Sequence, residues 1–353
     1  MQSKVYFIKV SDSDTQEAIA EKLSILIHKS GIFDFVLKGD KVALKMHFGE
    51  EGNIGFVKPE YVRIAVDSIK KIGANIFLTD TNTLYRGRRM VPEDHKQLAY
   101  EHGFTQDIAG AEVVIADDQA SEIKIDGKFI KIAKVAALFS QVDAILGVAH
   151  FKGHMMTGFG GALKNLGMGC ATREGKLAQH SEISPYVRVD NCTGCSACVS
   201  VCPVNAINLI DEKANIHGEI CIGCASCIAA CKFNAIDLDW DAGGKKIQEK
   251  MVEYTKAVMQ GKENKCAFIN FATKITAECD CLAKDDPKIS PDVGIFAAND
   301  PVALDKATFD LVVKNAGSDI FRKVHPKRDG SLQLKHASQI GLGRLEYELI
   351  DLS

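Results

Sequence analysis

Apolar positions fall into two rhythms along the chain. In Lys4–Val10, Lys41–Met46, Ile76–Thr79 and Asp143–Val148 they run almost without interruption, as in strands covered on both faces. Between these runs they recur at helical spacing: Ile19, Leu23, Ile25 and Leu26, then Val62, Ile64, Ala65, Ile69 and Ile72. Ser13 with Gln16 three residues on reads as a capping box for the first helix, which ends near Gly31. Pro59 opens the second helix and Gly73 ends it. A third helix spans Glu93–His102, before Gly103, and Ser121–Val135 reads as a hairpin folded over Asp126-Gly127. Strands separated by helices of this length predict an α/β fold with a largely parallel sheet.

The rhythm breaks near Ser184-Pro185. Residues 186–241 are short-period and rich in cysteine. After Gly243-Gly244 the first style resumes, with a helix over Lys245–Met259, strands at Cys266–Phe271 and Gly294–Ala298, and a helix from Asp300-Pro301 through Val312. This predicts one α/β domain made of residues 1–185 and 242–353, interrupted by a small α+β domain at 186–241. The alternative is three consecutive domains, the last building a core alone.

Composition narrows the class. With 353 residues the chain has room for about two domains. A hydrophobic share of 46% with 25% charged residues is that of a soluble globular protein. A net charge of −3 gives no sign of nucleic-acid binding, and no run approaches the ~18 apolar residues that cross a bilayer. The first ten residues read as a strand, not a signal peptide, so a cytoplasmic location is expected. Twelve cysteines are many for a reducing compartment, where disulfides are rare, and eight of them lie between Cys192 and Cys231. Such crowding points to metal ligation.

Those eight form a repeat. Cys192, Cys195, Cys198 and Cys202 have the spacing C-x2-C-x2-C-x3-C, and Cys221, Cys224, Cys227 and Cys231 repeat it. Both runs continue into Asn-Ala-Ile, at Asn205–Ile207 and Asn234–Ile236. Three cysteines in a tight loop can each aim a thiolate at one face of an iron–sulfur cubane, with Gly194 and Gly223 permitting close backbone approach. The fourth lies too far along its own loop to close the same cluster and ligates the other. One [4Fe–4S] cluster therefore takes Cys192, Cys195, Cys198 and Cys231, and the second takes Cys221, Cys224, Cys227 and Cys202. Two zinc sites of four cysteines each are the alternative, although zinc ribbons use separated C-x2-C pairs with a longer gap.

Over residues 186–241 the sequence resembles the bacterial-type two-cluster ferredoxins. The resemblance implies electron transfer at low potential, nominally around −400 mV. One position departs from that pattern: the proline after the fourth cysteine is present as Pro203 but is Lys232 in the second half. Lys232 restores a backbone donor and adds a charge beside Cys231, which is expected to raise the potential of the Cys192 cluster relative to a proline variant. The segment is acidic, with seven Asp and Glu against three Lys and Arg, which suits docking to a basic redox partner protein.

The flanks hold a second set of candidates. His150, Lys152, His154, Lys164 and Asn165 lie in a glycine-rich stretch after the strand Asp143–Val148, where α/β sheets place ligands. His150 and His154 would share a face if helical. Lys45, His47 and Glu50 follow another strand, as do Asp80, Thr81 and Asn82. Cys279-Asp-Cys281 could bind a metal, form a redox thiol pair, or be buried thiols. No dinucleotide fingerprint is present. The stretches Lys45–Lys58, Gly73–Asp80, His150–Gly169 and Asp292–Asp305 resemble an iron–sulfur family called domain of unknown function 362, and residues 1–80 are similar to the nucleotide-like fold of lactate racemases. The family resemblance implies architecture and no named reaction.

Three functions are therefore expected to compete. The first is an iron–sulfur oxidoreductase, or its electron-transfer component, relaying electrons to a small-molecule substrate in a pocket lined by His47, Asp80, His150, His154 and Lys164. The second is a carrier that recognises a partner without catalysis of its own. The third is a non-redox isomerase or metal-cofactor enzyme with structural clusters.

Overall fold

The computed structural model describes residues 2–85, 87–116, 119–180, 185–221, 226–237 and 246–353. Gly223, Cys224, Asp239, Asp241 and the expected boundaries at Ser184 and Gly243-Gly244 lie outside the described residues.

The uninterrupted apolar runs become the strands of a mixed sheet. Among the described residues it has eight strands, ordered across the sheet as Tyr347–Asp351, Ser3–Lys9, Gly294–Ala298, Cys266–Ala272, Ala144–His150, Lys41–Lys45, Asn75–Asp80 and Val113–Ile115. Five neighbouring pairs are parallel; Gly294–Ala298 is antiparallel to both of its neighbours. The fold is α/β with a largely parallel sheet. The segments before and after the cysteine-rich stretch meet in its centre, where Cys266 pairs with Ile145 and Phe271 with His150.

Alternate strand residues face opposite sides, which explains the unbroken hydrophobicity. Leu44, Leu78, Leu146 and Ile269 pack with helices Gln16–Ser30 and Pro59–Ile72. Ala43, Phe77, Ile145 and Phe268 pack on the other side with helices Ala162–Gly167, Ile247–Met259 and Pro301–Ala316. The Pro59 and Gly73 signals stand at the ends of their helix, Gly73 in the left-handed region at φ 88°.

Two local expectations are corrected. The first helix is capped by Thr15, whose Oγ1 accepts from Ala18 N at 3.2 Å, and begins at Gln16, so Ser13 is not the cap. The hairpin pairs Ala120–Lys124 with Ile132–Ala136, but its connection is longer than a two-residue turn. A buried carboxylate, Glu253, organises that connection by accepting from Lys128 N, Phe129 N and Ile130 N at 2.8, 3.0 and 2.7 Å. A remote acid thus replaces the local turn chemistry that Asp126-Gly127 signalled.

The cysteine-rich segment is built from small pieces. Tyr186–Val187 pairs with Ile236–Asp237, and Ile207–Ile210 with Lys213–Ile216 across a turn at Asp211 and Glu212, φ 48° and 59°. Short helices occupy Ala197–Ser200 and Ser226–Ala230. No described helix is long and apolar enough to cross a membrane.

Candidate functional site

Four parallel strands, Lys41–Lys45, Asn75–Asp80, Ala144–His150 and Cys266–Ala272, end on the same side of the sheet, the usual ligand edge of such folds. A cavity of ≈ 590 Å³ opens there. His47, Asp80, His150, His154 and Lys164 all line it, as do Lys45, Thr81, Lys152 and Asn165. Glu50 and Asn82 stand behind this wall: Glu50 holds Arg89 at 3.1 Å, and Asn82 Oδ1 meets His95 Nδ1 at 3.2 Å. His150 ends a strand and His154 ends the short strand Lys152–His154, so the helical arrangement of this pair is corrected. The short strands Lys152–His154 and Gly158–Gly160 stand there in place of a helix.

The wall is a network of buried charges. Lys45 Nζ lies 3.0 Å from Asp80 Oδ1 and donates to Asn165 Oδ1 at 2.8 Å. Asn165 in turn donates to Lys45 O and Val148 O at 3.0 and 3.1 Å, tying two strand ends together. Arg89 reaches Asp80 at 3.5 Å as well as Glu50. Burial alone would raise the Asp80 carboxyl, but the neighbouring cations, Lys45 first and then Arg89, outweigh it and hold it below its ordinary range. Asp280 stands 2.9 Å from His150 Nδ1 and 3.1 Å from Lys152 Nζ, while His150 Nε2 faces Thr273 O and Lys274 O at 3.1 and 3.2 Å. Both His150 nitrogens are thus engaged in holding the wall together.

Three groups of this wall are placed to act on a ligand. His47 Nδ1 accepts from Gly49 N at 2.9 Å, and among the described residues its buried Nε2 has no partner. Burial, reinforced by Arg89, pushes this ring well below its ordinary range, so it is neutral with its proton on Nε2. His154 Nδ1 likewise accepts, from Met156 N and Thr157 N at 3.1 and 3.2 Å, which leaves its ring proton on Nε2. Lys164 faces the cavity, without a carboxylate partner among the described residues; burial, then Lys152, pushes its amine down to about 7. Its backbone is fixed by Asp305, which accepts from Ala162 N and Leu163 N at 2.8 and 2.9 Å. A Cβ on Gly161 would stand 2.3 Å from Asp305 Oδ1, so glycine is required for that approach. Seven Lys or Arg against three Asp line the cavity, a balance that favours an anionic ligand.

Arg89, Asp280 and Lys176 also belong to this wall, with little in the sequence to mark them. Asp280 stands between two cysteines whose chemistry overshadows it. Arg89 and Lys176 sit among charged residues that read as solvent-facing, and only the fold buries them. The Asn299–Asp305 run has a positioning role: Asn299 Nδ2 donates to Ile32 O and Cys266 O at 3.0 and 2.9 Å, and Asp300 caps the following helix.

The remaining wall comes from the cysteine-rich segment. Arg188, Ile228, Asn234, Ile236 and Asp237 line the same cavity. Behind them Cys192, Cys195, Cys198 and Cys231 converge on a second, small cavity. Backbone amides point at the sulfurs: Ala214 N donates to Cys192 Sγ at 3.3 Å, Ala206 N to Cys202 Sγ at 3.2 Å and Ala235 N to Cys231 Sγ at 3.3 Å. Asn205 and Asn234 both take left-handed backbone, φ 52° and 53°, and so turn the next amide onto the fourth cysteine of each run. That is the structural content of the repeated Asn-Ala-Ile. Gly194, φ 68°, is required by a neighbouring turn: a Cβ would stand 2.3 Å from Glu212 O. Among the described residues no disulfide joins these cysteines. Converging sulfurs fed by backbone donors suit a thiolate-bound metal centre.

The family model described as Domain of unknown function (DUF362) matches residues 42–310. No curated protein matches the chain. Two of the solved structures that resemble it illustrate the likeness. The lactate racemase apoprotein from Thermoanaerobacterium thermosaccharolyticum has 13% identity and a TM-score of 0.39, over 77% of this chain and 51% of that one. A protein from Thermotoga maritima has 12% identity and a TM-score of 0.40, over 94% and 60%. The chain therefore spans about half to three-fifths of the length of the structures it matches.

Proposed function

This chain belongs to the DUF362 family, and from that premise we propose that it is an iron–sulfur oxidoreductase acting on a small anionic substrate. Residues 186–241 are read as an insert in an α/β domain formed by 1–185 and 242–353. Cys192, Cys195, Cys198 and Cys231 would hold one [4Fe–4S] cluster, and Cys221, Cys224, Cys227 and Cys202 the other. When bound, each cluster supplies one electron at low potential.

The observation that carries this reading is the shared cavity. Ile228, next to Cys227, and Asn234, three residues after Cys231, face the same space as His47, Asp80, His150, His154 and Lys164. In that space Lys164 binds the anion, His47 and His154 present Nε2–H donors, and Asp80, Lys45 and Arg89 hold the floor rigid. The acidic composition of the insert suits docking to a basic redox partner protein.

Anaerobically purified protein tests the proposal. The expected content is about eight iron and eight sulfide per chain, with an EPR signal after dithionite. The midpoint potentials should shift when oxalate, pyruvate or inorganic phosphate is added. Stoichiometric zinc, or a colourless and EPR-silent protein, defeats the cluster assignment. Potentials that move with a partner protein and never with these anions favour a carrier without its own catalysis.

A further inference from the structure

Cys279 and Cys281 are joined by a disulfide whose Cα atoms are 5.3 Å apart. Neither belongs to the repeated motif. Cys281 lines the large cavity, whereas Cys279 is only 3% exposed. One sulfur is therefore open to a ligand and the other stands behind it, the order of an attacked and a resolving thiol. The intervening Asp280 is clamped by His150 and Lys152, Glu50 N donates to Asp280 O at 3.0 Å, and Leu282 N donates to Cys279 O at 3.1 Å. The backbone of this turn is held by groups other than the sulfur bond, so the two sulfurs stay adjacent when that bond opens.

A ring nitrogen of His154 and the two Sγ atoms lie within 4.8 Å of one another. One imidazole and two thiols are also a donor set for a thiophilic cation. The hydrogen bonds of His154 argue against that use. Its Nδ1 accepts from two backbone amides, and the ring proton consequently sits on Nε2. A histidine ligand needs a proton-free nitrogen turned to the metal, and here neither is available. A neutral ring with its proton on Nε2 beside two sulfurs can donate a hydrogen bond to a leaving thiolate, while the proton that thiolate takes up comes from solvent through the cavity.

We infer that Cys279 and Cys281 are a reversible disulfide–dithiol pair opening on the cavity. The pair gathers electrons that arrive singly and passes them on two at a time. On reduction the S–S bond breaks, two electrons and two protons are taken up, and two S–H bonds form. On reoxidation the S–S bond re-forms, and the two electrons and two protons pass to a small anion bearing a group reducible by two electrons. The electrons come from a low-potential one-electron donor protein through the insert; this source rests on the function proposed above, whereas the pair itself does not.

The experiment separates the two claims. The anaerobic protein is equilibrated with glutathione buffers of varied ratio, alkylated, and the peptide holding both cysteines is weighed by mass spectrometry. In parallel, reduced methyl viologen is offered to the loaded chain and to a Cys192→Ser/Cys221→Ser variant. We expect reversible conversion from disulfide to doubly alkylated peptide across the glutathione series. We also expect reduction by viologen at least tenfold faster in the loaded chain. Conversion by glutathione without the viologen difference keeps the pair and overturns the relay through the insert. A disulfide that no glutathione ratio opens is a structural staple and overturns the pair, as does one zinc per chain held by these thiols. His154→Phe removes that hydrogen bond and should slow exchange about tenfold while leaving the final ratio unchanged; an unchanged rate removes the histidine from the step.

Discussion

The α/β layer and the cysteine-rich segment face one cavity but are held together differently. The layer buries two apolar clusters, one on each side of its sheet. The segment has one small cluster among the described residues, and four of its eleven buried members are cysteines, two of the others being Leu84 and Leu177 from the layer. A core of that kind leans on whatever the sulfurs hold, as small metal-bound folds do. The layer carries its burden elsewhere, in charges at the strand ends that are individually costly to bury and stable only as a network.

The largest effect should come from breaking the segment's side of this comparison. Chelation under anaerobic reducing conditions is expected to strip amide protection from residues 186–237 and leave that of Ala144–His150 and Cys266–Ala272 intact. Hydrogen exchange followed by mass spectrometry reads this directly, and loss of protection in both regions together would show that they are one cooperative unit. Next comes the layer. Asp280→Ala strands the charge of Lys152 beside His150 in a buried wall and should cost about 3–5 kcal/mol in urea unfolding of the α/β part. A loss below about 1 kcal/mol would mean that solvent reaches this site.

A smaller effect lies in the cavity itself. Lys164 releases its proton near 7 when folded and at its ordinary 10.5 when unfolded. Between those values the unfolded chain binds more protons, so this group makes stability rise with pH across that window and contributes no slope below it. Lys164→Met should flatten that rise. The charged amine is also what binds an anion, so phosphate or oxalate affinity should fall as pH climbs past 7 in the native chain. In Lys164→Met the affinity should be weak at every pH, and calorimetry at several pH values checks both. The smallest effect belongs to Lys232→Pro, expected to lower the midpoint potential assigned to the Cys192 set. An unchanged or higher potential in a redox titration removes the role given to Lys232.

The two regions also differed in how far their sequences could be read. Strand ends were legible because buried parallel strands are continuous apolar runs, and the residues just past them, His47, Asp80 and His150, could be named as neighbours without knowing their contacts. The cysteine spacing was legible because it is local. What stayed hidden depends on long-range partners. Arg89 looks like a surface residue until Glu50 and Asp80 enclose it. Asp126-Gly127 looks like a tight turn until Glu253 takes three amides of the same loop. The helical spacing of His150 and His154 had no apolar periodicity behind it, and the glycines around them allowed extended backbone to win.

The pairing of Cys266–Ala272 with Ala144–His150 constrains the order of assembly. During synthesis the first strands can align, but the open edge at Ala144–His150 waits until everything up to Ala272 has left the ribosome. Closing so long a loop costs little more entropy than closing a shorter one, because the penalty grows only logarithmically with length. The cost is one of time: an unpaired strand edge stays exposed while the cysteine-rich segment is made, open to another nascent chain.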